Sequence, residues 1–481
     1  MDFIEWKPQR NSSIPLHEQI SDFIKKKILN GEWTIGTKLP PQRTLAKWFQ
    51  VNRSTIVTAL EELTADGLLE SKVGSGTIVV NNTWNLLAST PPDWIRYVHS
   101  GIHEPNMKII QEINKAETDS SLIRLGTGEL SPELLPTKQM KKIFQANVEQ
   151  TFSLSYSEPK GNLYLRKTVA EYLKTKGIQT SPESILIVSG GIQALQLISV
   201  GLLKKGSIIL HETPSYLNSV HVFQSAGMNL LGVSMDNQGI TCDSIEKLKR
   251  QHHAALLYTI PTFHNPTGTL MSERRRNQLL RICQKESLPI IEDDVYGDLW
   301  FDQLPPKPLK ANDQQGNVLY IGSVSKTLSP GLRIGWLVGP EPVIDRLADI
   351  KMQTDYGSSS LSQFAVNEWL KSGLYETYIH QTRKELKYRR DLTIHFLKEY
   401  FSDIATWNVP QGGFYIWLHL QTAISTRKLF ATALQEGILL NPGIVYDKND
   451  LQHLRLSYSY ATIEELKKGL IQLSKMIKKG S

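Results

Sequence analysis

Residues 318–339 read VLYIGSVSKTLSPGLRIGWLVG. Two short apolar runs flank a hydroxyl-rich turn that carries a single lysine, Lys326, and a single arginine, Arg333. Runs this short and this apolar suit strands buried on both faces. The pattern recurs upstream in ILIV (185–188), SIIL (207–210), AALLYTI (254–260) and LPIIED (288–293), with helical segments between. Such alternation predicts a mostly parallel sheet covered by helices on both sides, with its chemistry at the carboxyl ends of the strands.

Those ends carry unusual residues. After ILIV comes SGGIQAL, a glycine turn at Gly190 and Gly191 that opens a helix and can cradle an anion with backbone N–H groups. Tyr216 closes HETPSY after the second run, Asn265 lies in PTFHNPTG after the third, and Asp293 and Tyr296 stand in EDDVYGD after the fourth. With Lys326 these meet the needs of pyridoxal phosphate (PLP): an amine for its aldehyde, a carboxylate for its ring nitrogen, donors for its ring oxygen, an aromatic plate and a phosphate pocket. Lys326 supplies the amine and Asp293 the carboxylate. Asn265 and Tyr296 reach the ring oxygen, Tyr216 covers the face, and Ser323 and Arg333 bind phosphate with the glycine turn. The serines and arginine around Lys326 thus answer to a dianion.

The segments YSEPKGNLYLR, HNPTG, DDVYGD, SVSKTLSPGLRIGW, VPQGGFYIW and LRLSYS follow one another between residues 156 and 459. Over residues 120–475 the chain resembles the fold-type I, class I/II aminotransferases. That resemblance implies that Arg455 holds a substrate carboxylate, that Tyr156 reaches the phosphate of a partner subunit, and that two bodies pair as a homodimer. One departure stands out. Where these enzymes often carry a hydroxyl and a glutamine after the phosphate-loop glycine, this chain has Gly191 and Ile192, which leaves backbone amides and Gln193 as the candidates there.

The first 80 residues read differently. Leu16, Ile20, Phe23, Ile24 and Ile28 recur at helical spacing. KLPPQRTLAKWFQ starts a second short helix, and Asn52 is placed to cap a third with Ile56, Leu60 and Leu63 on its buried face. LLESKVGSGTIVV then reads as a hairpin tipped by Gly74, Ser75 and Gly76. This is a helix-turn-helix with a wing, in which the third helix enters the major groove of double-stranded DNA. Asn52, Arg53, Ser54 and Thr55 stand at its entering end, Arg43 and Lys47 belong to the second helix, and Lys72 to the wing. Lys47 and Lys72, taken singly, read equally well as solvated bases. The stretch resembles the winged helix of the GntR regulators in LPPQRTLA, VNRSTIVTALEEL and GLLESKVGSGT. Fused to an aminotransferase-like body, it is similar to the MocR subfamily, whose GabR-type members bind PLP and sense an amino compound or the cofactor itself.

Composition sets the outer bounds. Lysine and arginine (54) exceed aspartate and glutamate (47), yet residues 1–80 carry a net charge of only +1, so the case for DNA rests on placement. Two cysteines, Cys242 and Cys283, fit core positions in a reducing cytosol. The uncharged run from Ile185 to Leu203 is broken by Ser189, Gly190, Gly191 and Gln193, so it suits a strand, turn and buried helix better than a membrane span. The expected organisation is α/β: a winged helix-turn-helix over residues 1–80, a linker over 81–96, and a PLP-binding body over 97–481. The body divides into a large lobe over about 120–350 and a small α+β lobe over about 351–481. The expected function is a cytoplasmic, PLP-dependent transcriptional regulator that binds an operator and senses an amino-acid-like effector or PLP, without metal or membrane. The alternative is a working aminotransferase carrying a DNA-binding head.

Overall fold

A computed structural model describes residues 6–72, 76–81, 94, 105–146 and 155–480. The chain divides into two compact units, residues 1–101 and 102–481. The wing tip at Gly74 and Ser75 lies outside the described residues, as does all of the expected linker but Asn81 and Trp94.

In the first unit, helices α1 (Leu16–Leu29), α2 (Gln42–Phe49) and α3 (Arg53–Ala65) precede an antiparallel pair, β1 (Leu69–Lys72) and β2 (Gly76–Val79). Ile20, Ile24, Leu45, Phe49, Ile56 and Leu63 are all but fully buried together, so the periodic faces meet as the spacing requires. The wing is tied back to the turn before α2, where Leu39 N donates to Thr77 O at 2.8 Å. Asn52 occupies the residue before α3 in an extended conformation, but its side chain makes no capping hydrogen bond.

The second unit is built on an eight-stranded sheet. Numbering continues from β3 (Ile123–Arg124) through β4 (Ile185–Val188), β5 (Ile208–Thr213), β6 (Asn229–Asp236) and β7 (Gly239–Ile240). β8 (Leu256–Thr259), β9 (Ile290–Asp293), β10 (Val318–Ser323) and β11 (Gly335–Val338) follow. Their order across the sheet is β4-β11-β10-β9-β8-β5-β6-β7. β10, β9, β8, β5 and β6 run parallel, and β11 is antiparallel to both of its neighbours. Leu210, Leu257, Ile290 and Val318 pack on one face, and Ile209, Tyr258, Ile291 and Leu319 on the other, as two-sided burial demands. Strand β6 was not anticipated from sequence. Apart from the buried Val233 its residues are half-buried or exposed, so it lacks the continuous apolar run of its neighbours.

A smaller antiparallel sheet contains β12 (Ala405–Trp407), β13 (Tyr415–Leu420), β15 (Asn441–Pro442) and β16 (His453–Ser457) in the order β12-β13-β16-β15. β14 (Ile438–Leu439) pairs in parallel with β3, so residues 123–124, near the start of the expected large lobe, are stitched to the C-terminal part of the chain. Cys242 and Cys283 are both free and buried. Among the described residues no helix is long and apolar enough to cross a membrane, and the helix after β4 spans Gly191–Leu202 within the body.

Candidate cofactor and effector site, and the DNA-facing head

The parallel strands of the body deliver their carboxyl ends to one cavity of about 410 Å³. Its walls include Tyr216, Asn265, Asp293, Tyr296, Ser323, Lys326, Arg333 and Arg455, together with Gly191. Asp293 is the last residue of β9 and is 4% exposed. Tyr258, on the neighbouring β8, donates its hydroxyl to Asp293 Oδ2 at 2.8 Å. The other oxygen, Oδ1, is buried with no partner among the described residues. Burial pushes this carboxyl up to about 6, although the Tyr258 hydrogen bond, the nearby Val295 backbone amide and the Lys326 charge pull the other way. A buried carboxylate oxygen left without a donor is costly, and an N–H donor entering the cavity would relieve that cost.

Lys326 follows the end of β10 and donates from Nζ to the carbonyl of Gly128 at 2.7 Å. It is the only lysine among the described cavity walls. Ser323 Oγ is held by the carbonyl of Ile334 at 3.0 Å and lies 2.9 Å from Ser325 Oγ. Arg333 donates to Ser189 O at 2.7 Å and passes so close to Gly190 that a Cβ there would stand 2.6 Å from its guanidinium and displace it. Gly190 also has φ +89°, and the helix that follows starts at Gly191, so its first turn lies at this corner, with Gln193 N donating to Gly190 O at 3.2 Å. The side chain of Gln193 is engaged elsewhere: its Oε1 accepts from Ser189 N at 2.7 Å, and its Nε2 donates to Asp355. Of the two candidates left by Gly191 and Ile192, the side chain of Gln193 is thus already occupied, which leaves the amides of Gly191 and Ile192.

Opposite, Arg455 on β16 is 6% exposed. It donates to Asn265 Oδ1 at 2.9 Å and to Gly126 O at 2.7 Å, while its Nε is buried without a partner. Its guanidinium lies 4.2 Å from the ring centre of Tyr415 and 5.0 Å from that of Tyr446. The Tyr296 hydroxyl bridges toward Asn265 Nδ2 at 3.4 Å and Tyr415 Oη at 3.1 Å. Tyr258, Tyr415 and Tyr446 were not singled out from sequence. Tyr258 and Tyr415 sit within quoted apolar runs, where strand alternation alone does not say which aromatic turns toward a pocket. Tyr156 lies apart from the cavity walls: it is 80% exposed and meets Tyr356 edge-on at 4.8 Å.

On the head, Arg43, Asn52, Arg53 and Ser54 are exposed and Thr55 is half-buried. Arg53 is oriented by Gln42, whose Oε1 accepts from Arg53 Nε at 3.2 Å and Nη2 at 3.1 Å, so the helix-turn-helix fixes this side chain at the N-terminal end of α3. Lys72 ends β1.

Comparison with known proteins agrees with this two-part construction. Residues 120–473 match the class I and II aminotransferases, and residues 16–79 match the gntR family of bacterial regulatory proteins. The uncharacterized HTH-type transcriptional regulator YisV of Bacillus subtilis is 56% identical over 98% of this chain and 97% of its own length. The HTH-type transcriptional regulator NorG of Staphylococcus aureus is 36% identical over 92% of this chain and all of its own. Among solved structures, kynurenine aminotransferase of Pyrococcus horikoshii, in complex with PMP, superposes with a TM-score of 0.76 at 30% identity. It covers 81% of this chain and 98% of its own. The multiple substrate aminotransferase of Thermococcus profundus gives 0.73 at 29% identity, over 78% of this chain and 96% of its own.

Proposed function

We propose a function from one premise: the chain belongs to the class I and II aminotransferase family over its body and to the bacterial gntR regulatory family over its head. It is a DNA-binding transcriptional regulator of the MocR type. In our reading its body holds PLP and senses an amino compound, or PLP itself, as a homodimer in the cytoplasm. The single observation that carries the cofactor assignment is Asp293, half-partnered and buried in the same cavity as Lys326.

When bound, PLP supplies an aldehyde with which primary amines condense reversibly. The chain's own residues do the rest. Asp293 Oδ1 accepts the hydrogen of a ring nitrogen while Tyr258 fixes Oδ2. Ser323, Ser325, Arg333 and the amides at the start of the Gly191–Leu202 helix hold the phosphate, Tyr216 covers the ring, and Asn265 and Tyr296 face its oxygen. Tyr156, so exposed on one chain, serves the phosphate of a partner copy. Arg455, whose charge is flanked by Tyr415 and Tyr446, receives the carboxylate of the effector through the nitrogen it leaves unpaired. In the head, Arg43, Asn52, Arg53, Ser54, Thr55 and Lys72 meet the operator.

A working aminotransferase is the second reading, favoured by the retention of Lys326, Asp293, Tyr296 and Arg455 in one cavity. The end-to-end match to proteins named as regulators favours the first. Thermal-shift screening of amino compounds against the PLP-loaded protein, followed by a promoter reporter with each hit, tests the assignment. A carboxylate-bearing hit should alter reporter output in the parent and not in Arg455→Lys, with the PLP absorbance unchanged. Steady turnover of the hit with a 2-oxo acid, and no effect on the reporter, would give the second reading.

A further inference from the structure

The residues before α1 form a built element. Trp6 stacks on Phe23 of α1 with ring centres 4.5 Å apart and meets Phe49 of α2 edge-on at 5.8 Å. Gln19 of α1 grips the backbone of Gln9 from both sides, accepting from its N–H at 2.9 Å and donating to its carbonyl at 3.1 Å. Gln19 also donates to Ile14 O at 2.7 Å, and Arg10 donates to Gln50 O at 3.1 Å, just past the end of α2. An aromatic anchor and these polar contacts hold the segment from Trp6 to Ile14 against both helices.

That fastening places Lys7 beside α2. Lys7, Arg43, Lys47 and Gln50 line one concavity, in which the three cations are exposed. None of these three has an acidic partner among the described residues, whereas Lys25 pairs with Asp66 at 2.7 Å, Lys27 with Glu32, and His17 with Glu62 at 3.2 Å. Cations crowded without counter-charge repel one another, and a polyanion relieves that repulsion. The concavity adjoins the base-reading end of the head through consecutive residues, since Gln42, which orients Arg53, precedes Arg43.

We infer that the segment before α1 is a fixed DNA-backbone clamp, in which Lys7 joins Arg43 and Lys47 to hold phosphates next to those met by α3. The inference rests on the reading of the head as a DNA-binding unit, and it adds a contact outside the helix-turn-helix itself. Phosphate contacts act through counterion release, so each should be visible in the salt dependence of binding rather than in sequence preference.

The experiment uses the full chain and a 30-bp mixed-sequence duplex, titrated by fluorescence anisotropy between 50 and 200 mM salt. Lys7→Ala should lower the slope of log affinity against log salt by about 0.9 per engaged head, so that its deficit relative to the parent shrinks about threefold per head across that range. Lys26→Ala, which removes an equally exposed cation near the far end of α1, should leave the slope unchanged. An unchanged slope for Lys7→Ala in a protein whose parent binds the duplex overturns the clamp. Equal losses for Lys7→Ala and Lys26→Ala also overturn it, since net charge would then explain both. If the parent fails to bind any duplex, the DNA-binding reading falls and takes the clamp with it.

Discussion

The head and the body of this chain prepare for their partners in opposite ways. In the body the decisive groups are buried: Asp293 is 4% exposed and Arg455 6%, and each keeps one polar atom unsatisfied in or beside a cavity. In the head they are exposed, and only placement distinguishes Arg43 and Arg53 from ordinary surface bases. Buried incompleteness is expensive and so is informative residue by residue. Exposed charge is cheap and becomes informative only as a pattern.

The contrast can be broken most sharply at Lys326. Lys326→Ala should abolish the borohydride-reducible link between protein and PLP while leaving DNA binding intact, because no other lysine lines the described cavity walls. Mass spectrometry of the reduced protein checks this, and a surviving PLP adduct elsewhere would remove the site from this cavity. A second test exploits burial itself. With its carboxyl pushed from 3.8 up to about 6, Asp293 binds more protons in the folded than in the unfolded chain between those values. Stability of the cofactor-free protein should therefore be greatest below pH 4 with respect to this group, and fall by roughly 3 kcal/mol as pH rises through 6. Asp293→Asn should lack that descent in denaturant melts across the same range.

The head should respond more gently. Arg53→Ala should cost about 1–3 kcal/mol of specific DNA binding if it reads a base, with the PLP spectrum untouched. Gel shifts on operator and mixed DNA separate a lost base contact from a lost phosphate. Smallest of all, Asn52→Ala should cost the head well under the ~1 kcal/mol usual for a lost helix cap, since its side chain caps nothing. A calorimetric loss of the full amount would show that the cap forms in solution.

The same contrast explains what was legible in the sequence. The strand ends announced the body because Lys326, Asp293, Asn265 and Tyr216 are unlike residue types that recur in one order after apolar runs. Tyr258 was hidden because its role depends on β8 lying beside β9, a neighbour relation set by the sheet and not by the local pattern. Gln193 was left open for the same kind of reason, since Asp355, which takes its amide, is 162 residues away. Strand β6, half-exposed near the sheet's edge, carries too weak an alternation to be read alone. In the head, periodic apolar faces located the first and third helices and KLPPQRTLAKWFQ the second, whereas the contribution of Trp6 and Gln9 depends on packing that no spacing rule encodes.

The pairing of β3 with β14 has a bearing on how the molecule is made. The partners lie some 315 residues apart in the chain, so Ile123 and Arg124 must wait for nearly the whole polypeptide before they find Ile438 and Leu439. The helices and hairpin of the head are complete by Val80, whose N–H donates to Leu68 O at 2.9 Å. During synthesis on the ribosome, the DNA-binding unit can thus acquire its structure while the body is still an open sheet that lacks its last strands. Domains emerging first fold first, and distant pairings are the slow ones. Each nascent chain would then pass through an interval in which the head is folded and the body is not.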